Sequence, residues 1–202
     1  DWDKIFRFQG KVFFDVDPNV EGLASYFRRE GVVSVLDVGC GSGRHTVFFA
    51  REGFDVYGFD VSLRGVELTK GWLADEGLCA NVFRHSCFEC FPFKSGFFDA
   101  VVSNRVIYHG YYDDVKFCVG EMKRVLKSSG LLYVSVSFDK FKSGASDFDF
   151  VDDNTFIPLN GRERGVPHFI YSRSRLEEDF SDMSLLSLVE DSQNHYCLFA
   201  KK

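Results

Sequence analysis

Short, nearly continuous apolar runs alternate along this chain with segments of helical period. Val33-Ser34-Val35-Leu36-Asp37-Val38 is one such run and stops at glycine, which suits a strand buried on both faces. Phe54–Asp60, Ala100–Ser103 and Leu131–Val136 read the same way. Between the last two, Val115, Cys118, Val119, Met122, Val125 and Leu126 form the i, i+3, i+4, i+7 stripe of a helix over Asp113–Lys127. Ser128-Ser129-Gly130 stops that helix and turns the chain into the next strand. A weaker helical pattern covers Ser62–Glu76, and another helix opens after Gly43. Strand, helix and strand in this order predict parallel pairing through right-handed crossovers.

The C-terminal third differs. Ser143–Gly165 is polar, rich in Gly and Asp and without clear period, and predicts a long loop or lid within residues 140–172. Ser174-Arg175-Leu176-Glu177 has the form of a capping box that opens a helix. Leu185–Glu190 and Tyr196–Ala200 then read as two strands joined by a turn at Asp191-Ser192-Gln193-Asn194, hence antiparallel. The expected fold is α/β, a doubly wound, mostly parallel sheet closed by an antiparallel hairpin, with one domain over residues 1–202.

Bulk properties narrow the partners. At 202 residues the chain has room for one sizeable core. Lys+Arg 24 against Asp+Glu 30 leaves a net charge of -6, which argues against nucleic acid as a partner. No apolar run is long enough to span a bilayer. Asp1-Trp2-Asp3-Lys4 lacks the basic and apolar start of a signal peptide. Cys40, Cys79, Cys87, Cys90, Cys118 and Cys197 then read as reduced thiols of a cytoplasmic protein.

Candidate chemistry starts at the end of the first strand. In Asp37-Val38-Gly39-Cys40-Gly41-Ser42-Gly43 the glycines let backbone approach a ligand closely, and the following helix offers free N–H groups. Asp60 ends the second strand, where a carboxylate can accept both hydroxyls of a ribose. A tight turn with an incidental acid is the plainer reading. A dinucleotide fingerprint needs a third glycine where Arg44 stands, which disfavours a nicotinamide-dependent oxidoreductase. No Gly-Lys-Ser/Thr follows, so a phosphate-cradling P-loop is excluded.

Val35-Leu36-Asp37-Val38-Gly39-Cys40-Gly41-Ser42-Gly43 closely resembles the first motif of class I S-adenosylmethionine-dependent methyltransferases. Val56-Tyr57-Gly58-Phe59-Asp60, Phe91-Pro92-Phe93 through Phe97–Ser103, Glu121–Lys127 and Gly130-Leu131-Leu132 are similar to later segments of that family, in the same order. The resemblance covers roughly Val32–Val136. It implies a seven-stranded, Rossmann-like sheet, S-adenosylmethionine as cofactor and S-adenosylhomocysteine as product.

The resemblance further implies that Gly39, Cys40, Gly41 and Gly43 wrap the methionine part of the cofactor, with Asp37 fixing the loop or the amino group. Asp60 would hold the ribose and Val61 would lie against the adenine; Asn104 would face the methionine moiety or the acceptor. The family commonly carries an acid for the adenine amino group where this chain has Ser86 or Cys87, with Phe88 beside them to contact the base. No Asn/Asp-Pro-Pro-Tyr/Phe element follows, since Asn104-Arg105-Val106-Ile107 stands there, so the implied acceptor is a small molecule. The compact tellurite- or thiol-methylating enzymes are the nearest in style. A domain that binds the cofactor without catalysis is the alternative.

His109 and Tyr108 lie just past the strand that ends at Asn104, on the edge where this architecture carries its active site. His109 reads either as a proton acceptor for the nucleophile or as a loop histidine with a structural bond. Arg162, Arg164 and His168 concentrate in the lid region as a grip for an anionic acceptor, or as solvated loop charges. Trp2 and Phe13-Phe14 read as aromatics folded over the cofactor or packed in the core. Cys87-x-x-Cys90 beside His85 has zinc spacing but no second pair, so no metal is expected. His45, His85 and His195 read as structural.

Overall fold

A computed structural model of the chain describes residues 2–12, 14–138 and 146–202. Phe13 and residues 139–145, which include the start of the expected lid at 140–145, lie outside the described residues. The first half runs α1 (Trp2–Gln9), α2 (Pro18–Arg29), β1 (Ser34–Val38), α3 (Arg44–Arg51), β2 (Asp55–Asp60), α4 (Leu63–Asp75) and β3 (Asn81–Arg84). The second half runs β4 (Phe98–Asn104), α5 (Tyr112–Val125), β5 (Leu126–Ser137), β6 (Phe148–Phe150), β7 (Thr155–Pro158), β8 (His168–Phe169), α6 (Arg173–Asp179), β9 (Ser184–Glu190) and β10 (His195–Lys201).

Seven strands form one sheet in the order β3-β2-β1-β4-β5-β10-β9. Strands β1 to β5 pair in parallel, and β10 is antiparallel to both β5 and β9. The expected doubly wound sheet with a C-terminal antiparallel hairpin is therefore the architecture found. All five residues of β1 are buried, because helices cover both faces. Val35 joins Phe27, Phe49 and Val102 on one face, while Leu36 and Val38 join Val101, Met122 and Val134 on the other. This is the two-residue alternation of a strand with no solvent face. Among the described residues no helix is long and apolar enough to cross a membrane.

Where structure and pattern differ, local physics accounts for it. Asn81–Arg84 is too short and polar to register as a run, yet it pairs with Tyr57–Asp60 at the sheet edge. Helix α5 ends two residues before Lys127, because Leu126 is already paired with Phe98. The capping box expected at Ser174 is displaced. Ser172 is the extended residue, its Oγ accepts from Arg175 N at 3.2 Å, and the helix starts at Arg173. The region expected to be structureless holds the three-stranded antiparallel sheet β6-β7-β8.

Helix α1 is tied down at its first turn. Asp3 Oδ1 accepts from Ser62 Oγ at 2.8 Å and from Arg64 N at 2.9 Å, so an acid meets the N-terminal turn of α4. The Arg64 backbone N–H, with the Ser62 hydroxyl, pulls this carboxyl down to about 2. The contact holds Trp2 and Phe6 over the carboxyl ends of β1 and β2.

Candidate active site

Strand order reverses between β1 and β4, and in such sheets the crevice beyond those carboxyl ends is where a ligand fits. A cavity of about 450 Å³ lies there. Its floor is the loop after β1. Gly39 and Cys40 both donate their N–H to Phe59 O at 2.9 Å, which ties the loop to the end of β2. Gly41 N donates to Asp60 Oδ2 at 2.9 Å, and Ser62 N donates to Asp60 Oδ1 at 2.8 Å. Gly43, with φ +100°, closes the loop and leads into α3, where a Cβ would come within 2.9 Å of the Thr69 side chain.

Asp37 lies beneath this loop, buried, and accepts from Thr46 Oγ1 at 2.7 Å. It does not reach the cavity wall; it anchors the first turn of α3 to β1. Burial pushes its carboxyl up to about 6, against the opposing pull of the Thr46 hydroxyl. A raised acid makes the folded state bind the proton more tightly, so its stabilising contribution is full below about pH 4 and is lost as pH rises through 6. Asp37→Asn is expected to remove that slope. Relative to wild type it gains roughly 2–3 kcal/mol between pH 4 and pH 7 in denaturant titrations, from about 1.4 kcal/mol per pH unit. Parallel curves for the two proteins would refute this.

The walls mix polar and apolar side chains. Cys40, Asp60, Val61, Ser86, Cys87, Phe88 and Asn104 all line the cavity, as do Gly39 and Gly41. Ser86 Oγ accepts from Phe88 N at 3.1 Å, which turns the Ser86-Cys87-Phe88 segment inward. Both amide atoms of Asn104 and the hydroxyl of Ser42 are buried with no hydrogen-bond partner among the described residues. Buried polar atoms without partners are costly, and both residues stand in the wall of this cavity.

Beyond Asn104 the chain turns through Arg105, a non-glycine at φ +61°. Its guanidinium Nη2 holds Asp17 at 2.9 Å and Asp191 at 3.0 Å, and these contacts sustain the strained backbone. The turn carries Tyr108 and His109 into the cavity, and His168 meets them from β8. His109 packs edge-on against Trp2, with ring centroids 4.9 Å apart, and edge-on against His168 at 4.8 Å. Burial, reinforced by His168, holds His109 down at about 3, so it is a neutral lone-pair donor at neutral pH. Burial above all pushes the Tyr108 phenol well up, and Glu163 adds to this.

Several expectations are redistributed. Arg162 and Arg164 are exposed and absent from the cavity wall; Glu163 between them, with Val166, faces in. His195, expected to be structural, is in the wall with its Nε2 3.5 Å from Tyr108 Oη. His45 and His85 also touch the cavity, though each is engaged, His45 Nε2 by Asp17 N at 3.3 Å and His85 Nε2 by Cys90 O at 3.0 Å. Phe14 is exposed and packs on Trp72, away from the cavity. Cys90 is exposed, with its Sγ directed at Phe91 O. Phe6, Glu163 and Arg105 join the site without a sequence signal that points to them. Phe6 and Glu163 have no motif, and Arg105 is betrayed only by its left-handed backbone.

Fold and site together place a cavity of about 450 Å³ at the switch point of a doubly wound sheet. Residues 36–134 match the family described as "Methyltransferase domain". The ubiquinone biosynthesis O-methyltransferase of Bartonella quintana is 29% identical over 103 residues, 51% of this chain and 40% of its own. The chain thus spans less than half the length of that relative. Among solved structures, a SAM-dependent methyltransferase of Methanosarcina mazei superposes with TM-score 0.75 at 19% identity, over 93% of this chain and 98% of that one. The 1,6-didemethyltoxoflavin-N1-methyltransferase of Burkholderia thailandensis, solved with S-adenosylhomocysteine, superposes with TM-score 0.72 at 14% identity, over 98% and 84%. At these identities the structural likeness speaks for the fold alone. Over residues 36–134, just under half of its length, the chain is thus similar to the methyltransferase family.

Proposed function

We propose that this chain, acting as one methyltransferase domain over residues 1–202, transfers the methyl group of S-adenosylmethionine to a small-molecule acceptor. The observation that carries the reading is the Asn104 amide, buried and without a partner among the described residues, in the cavity wall above the glycine loop. S-adenosylmethionine supplies an electrophilic methyl group on a sulfonium, so the protein's task is orientation and exclusion of water. Gly39, Cys40 and Gly41 present backbone to its amino-acid part, and Asn104 supplies amide donors and acceptors there. Asp60 offers carboxylate lone pairs beyond its two backbone bonds to the ribose, with Val61, Ser86, Cys87 and Phe88 against the base. Asp37 and Gly43 act from beneath, by holding the loop.

The acceptor occupies the end lined by Tyr108, His109 and His168, under β7, β8 and the turn between them, which serve as the lid. Trp2 and Phe6 close the remaining side. The test of acceptor class is incubation with methyl-labelled S-adenosylmethionine and separate pools of small hydroxyl, thiol and amine compounds. Label in one pool, lost in a heat-treated control, is expected. No label in any pool beside S-adenosylhomocysteine binding favours the non-catalytic alternative.

Asn104→Ala provides a second check. Removing an unsatisfied buried amide relieves a desolvation cost of about 1–3 kcal/mol, so the ligand-free protein is expected to melt no lower than wild type. Affinity for S-adenosylhomocysteine should fall about tenfold or more, from the loss of one or two net hydrogen bonds. A lowered melting temperature with unchanged affinity would remove Asn104 from the site.

A further inference from the structure

We propose that His109, Glu163 and His168 bind one divalent transition-metal ion, of the Zn²⁺ type, at the acceptor end of the cavity; its role toward the acceptor rests on the methyl-transfer reading. One ligand atom from each residue lies within 4.8 Å of those of the other two. His168 Nε2 is 3.0 Å from Glu163 Oε2, and His109 Nε2 is 3.9 Å from Glu163 Oε1. Each histidine faces a backbone carbonyl with its other nitrogen, His109 Nδ1 to Val106 O at 3.0 Å and His168 Nδ1 to Val166 O at 2.8 Å. Nδ1–H donation to those carbonyls directs the Nε2 lone pairs inward, the arrangement that orients metal-ligating histidines.

Two features of this cluster call for a cation. His168 Nε2 and Glu163 Oε2 share a hydrogen bond at 3.0 Å, and an ion between them would take the place of that proton and be held by both atoms. Independently, His109 Nε2 is buried, its side chain 7% exposed, and has no hydrogen-bond partner among the described residues. Bond lengths of about 2.0–2.2 Å put tetrahedral ligand atoms roughly 3.3 Å apart, so a cluster spread over up to 4.8 Å needs to close by up to about 1.5 Å. Glu163 sits on a turn that can supply this.

Two imidazoles and one carboxylate fit a zinc-like ion better than Mg²⁺ or Ca²⁺. Three protein ligands leave a fourth position, and that position faces the cavity, as in catalytic rather than structural sites. The group suited to it is a hydroxyl or thiol of the acceptor, X–H. On coordination X–H gives its proton to solvent and is held as X⁻. An X lone pair then forms the bond to the methyl carbon while the carbon–sulfur bond breaks, its electron pair staying on sulfur. The products are a neutral thioether and X–CH₃, and no oxidant or reductant is involved. The ion also ties the turn carrying Glu163, and His168 of β8, to the loop after β4, so it pins the lid to the body.

The test uses the full chain after dialysis against a chelator, titrated with Zn²⁺ by calorimetry and with Co²⁺ by visible absorption. S-adenosylhomocysteine is titrated in parallel. One Zn²⁺ per chain is expected, with a Co²⁺ spectrum free of thiolate charge-transfer bands. Glu163→Gln and His168→Gln should each weaken Zn²⁺ binding by about tenfold or more. No saturable Zn²⁺ binding by the wild-type protein overturns the site, whatever the variants do. Binding that both variants retain, or a thiolate spectrum, assigns the metal to the cysteines and overturns it equally. Wild-type protein that binds S-adenosylhomocysteine but not Zn²⁺ loses this site alone. Protein that binds Zn²⁺ but not S-adenosylhomocysteine keeps the site and loses its acceptor role.

Discussion

Gly39→Ala is expected to cost the protein several degrees of melting temperature and most of its affinity for S-adenosylhomocysteine. Gly39 has φ +75°, and a Cβ built on it would stand 2.4 Å from Val106 Cγ1 and 2.5 Å from Val106 Cγ2. Valine is stiff at χ1 and cannot rotate both methyls away. The alternative is to move the loop after β4, which also carries Arg105, Tyr108 and His109. Left-handed strain of about 1–3 kcal/mol and overpacking of a similar size combine to roughly 2–5 kcal/mol. In a chain of this length that is about 5–15 °C by thermal unfolding. Gly39→Ala with Val106→Ala removes the two methyl overlaps but leaves Val106 Cβ at 2.9 Å and the φ strain, and should recover part of the loss. An unaltered melting temperature and affinity in the single variant would show that the loop is not packed this tightly.

Asp60→Ala is expected to weaken S-adenosylhomocysteine binding by about 100-fold or more, equivalent to roughly 2.7 kcal/mol. The carboxylate is buried and already accepts from Gly41 N and Ser62 N, so it shapes the loop as well as facing the cavity. Burial raises its pKa, and the two backbone donors oppose that rise. A hydrogen bond to a charged acceptor contributes about 1.5–3 kcal/mol, so loss of the ribose contacts alone is of the stated size, while loss of the Gly41 and Ser62 bonds falls on the stability of the loop. Asp60→Asn keeps one acceptor oxygen and should fall between wild type and alanine by calorimetry. Equal affinity in all three proteins would exclude Asp60 from the ligand site.

The parallel sheet was legible because buried strands such as Val35–Val38 leave long apolar runs, and the amphipathic stripe of Tyr112–Val125 is equally plain. The loop between β1 and α3 was legible because only glycines tolerate its positive φ angles and close approaches. Other features depend on tertiary context. Asn81–Arg84 is a strand because Tyr57–Asp60 offers it an edge. Helix α2 has its signal in Asp17-Pro18, where Asp17 Oδ1 accepts from Asn19 N at 3.0 Å.

The acceptor end was legible only in part. Tyr108 and His109 are marked by their place after β4, and His168 by its company of charged residues. Its neighbours Arg162 and Arg164 stand out as the chemical groups of that segment, yet the turn exposes both and directs Glu163 inward. Nothing in a one-dimensional pattern tells which of three consecutive charged residues a turn will bury. His195 enters through the register of β10 on β5, where it stands opposite Ser137.

The most direct measurement is calorimetric titration of the wild-type protein with S-adenosylhomocysteine. A cavity with an intact glycine loop, an acid at the end of β2 and an unsatisfied Asn104 amide should bind one equivalent at micromolar concentration. A folded protein that takes up no S-adenosylhomocysteine would contradict the central claim.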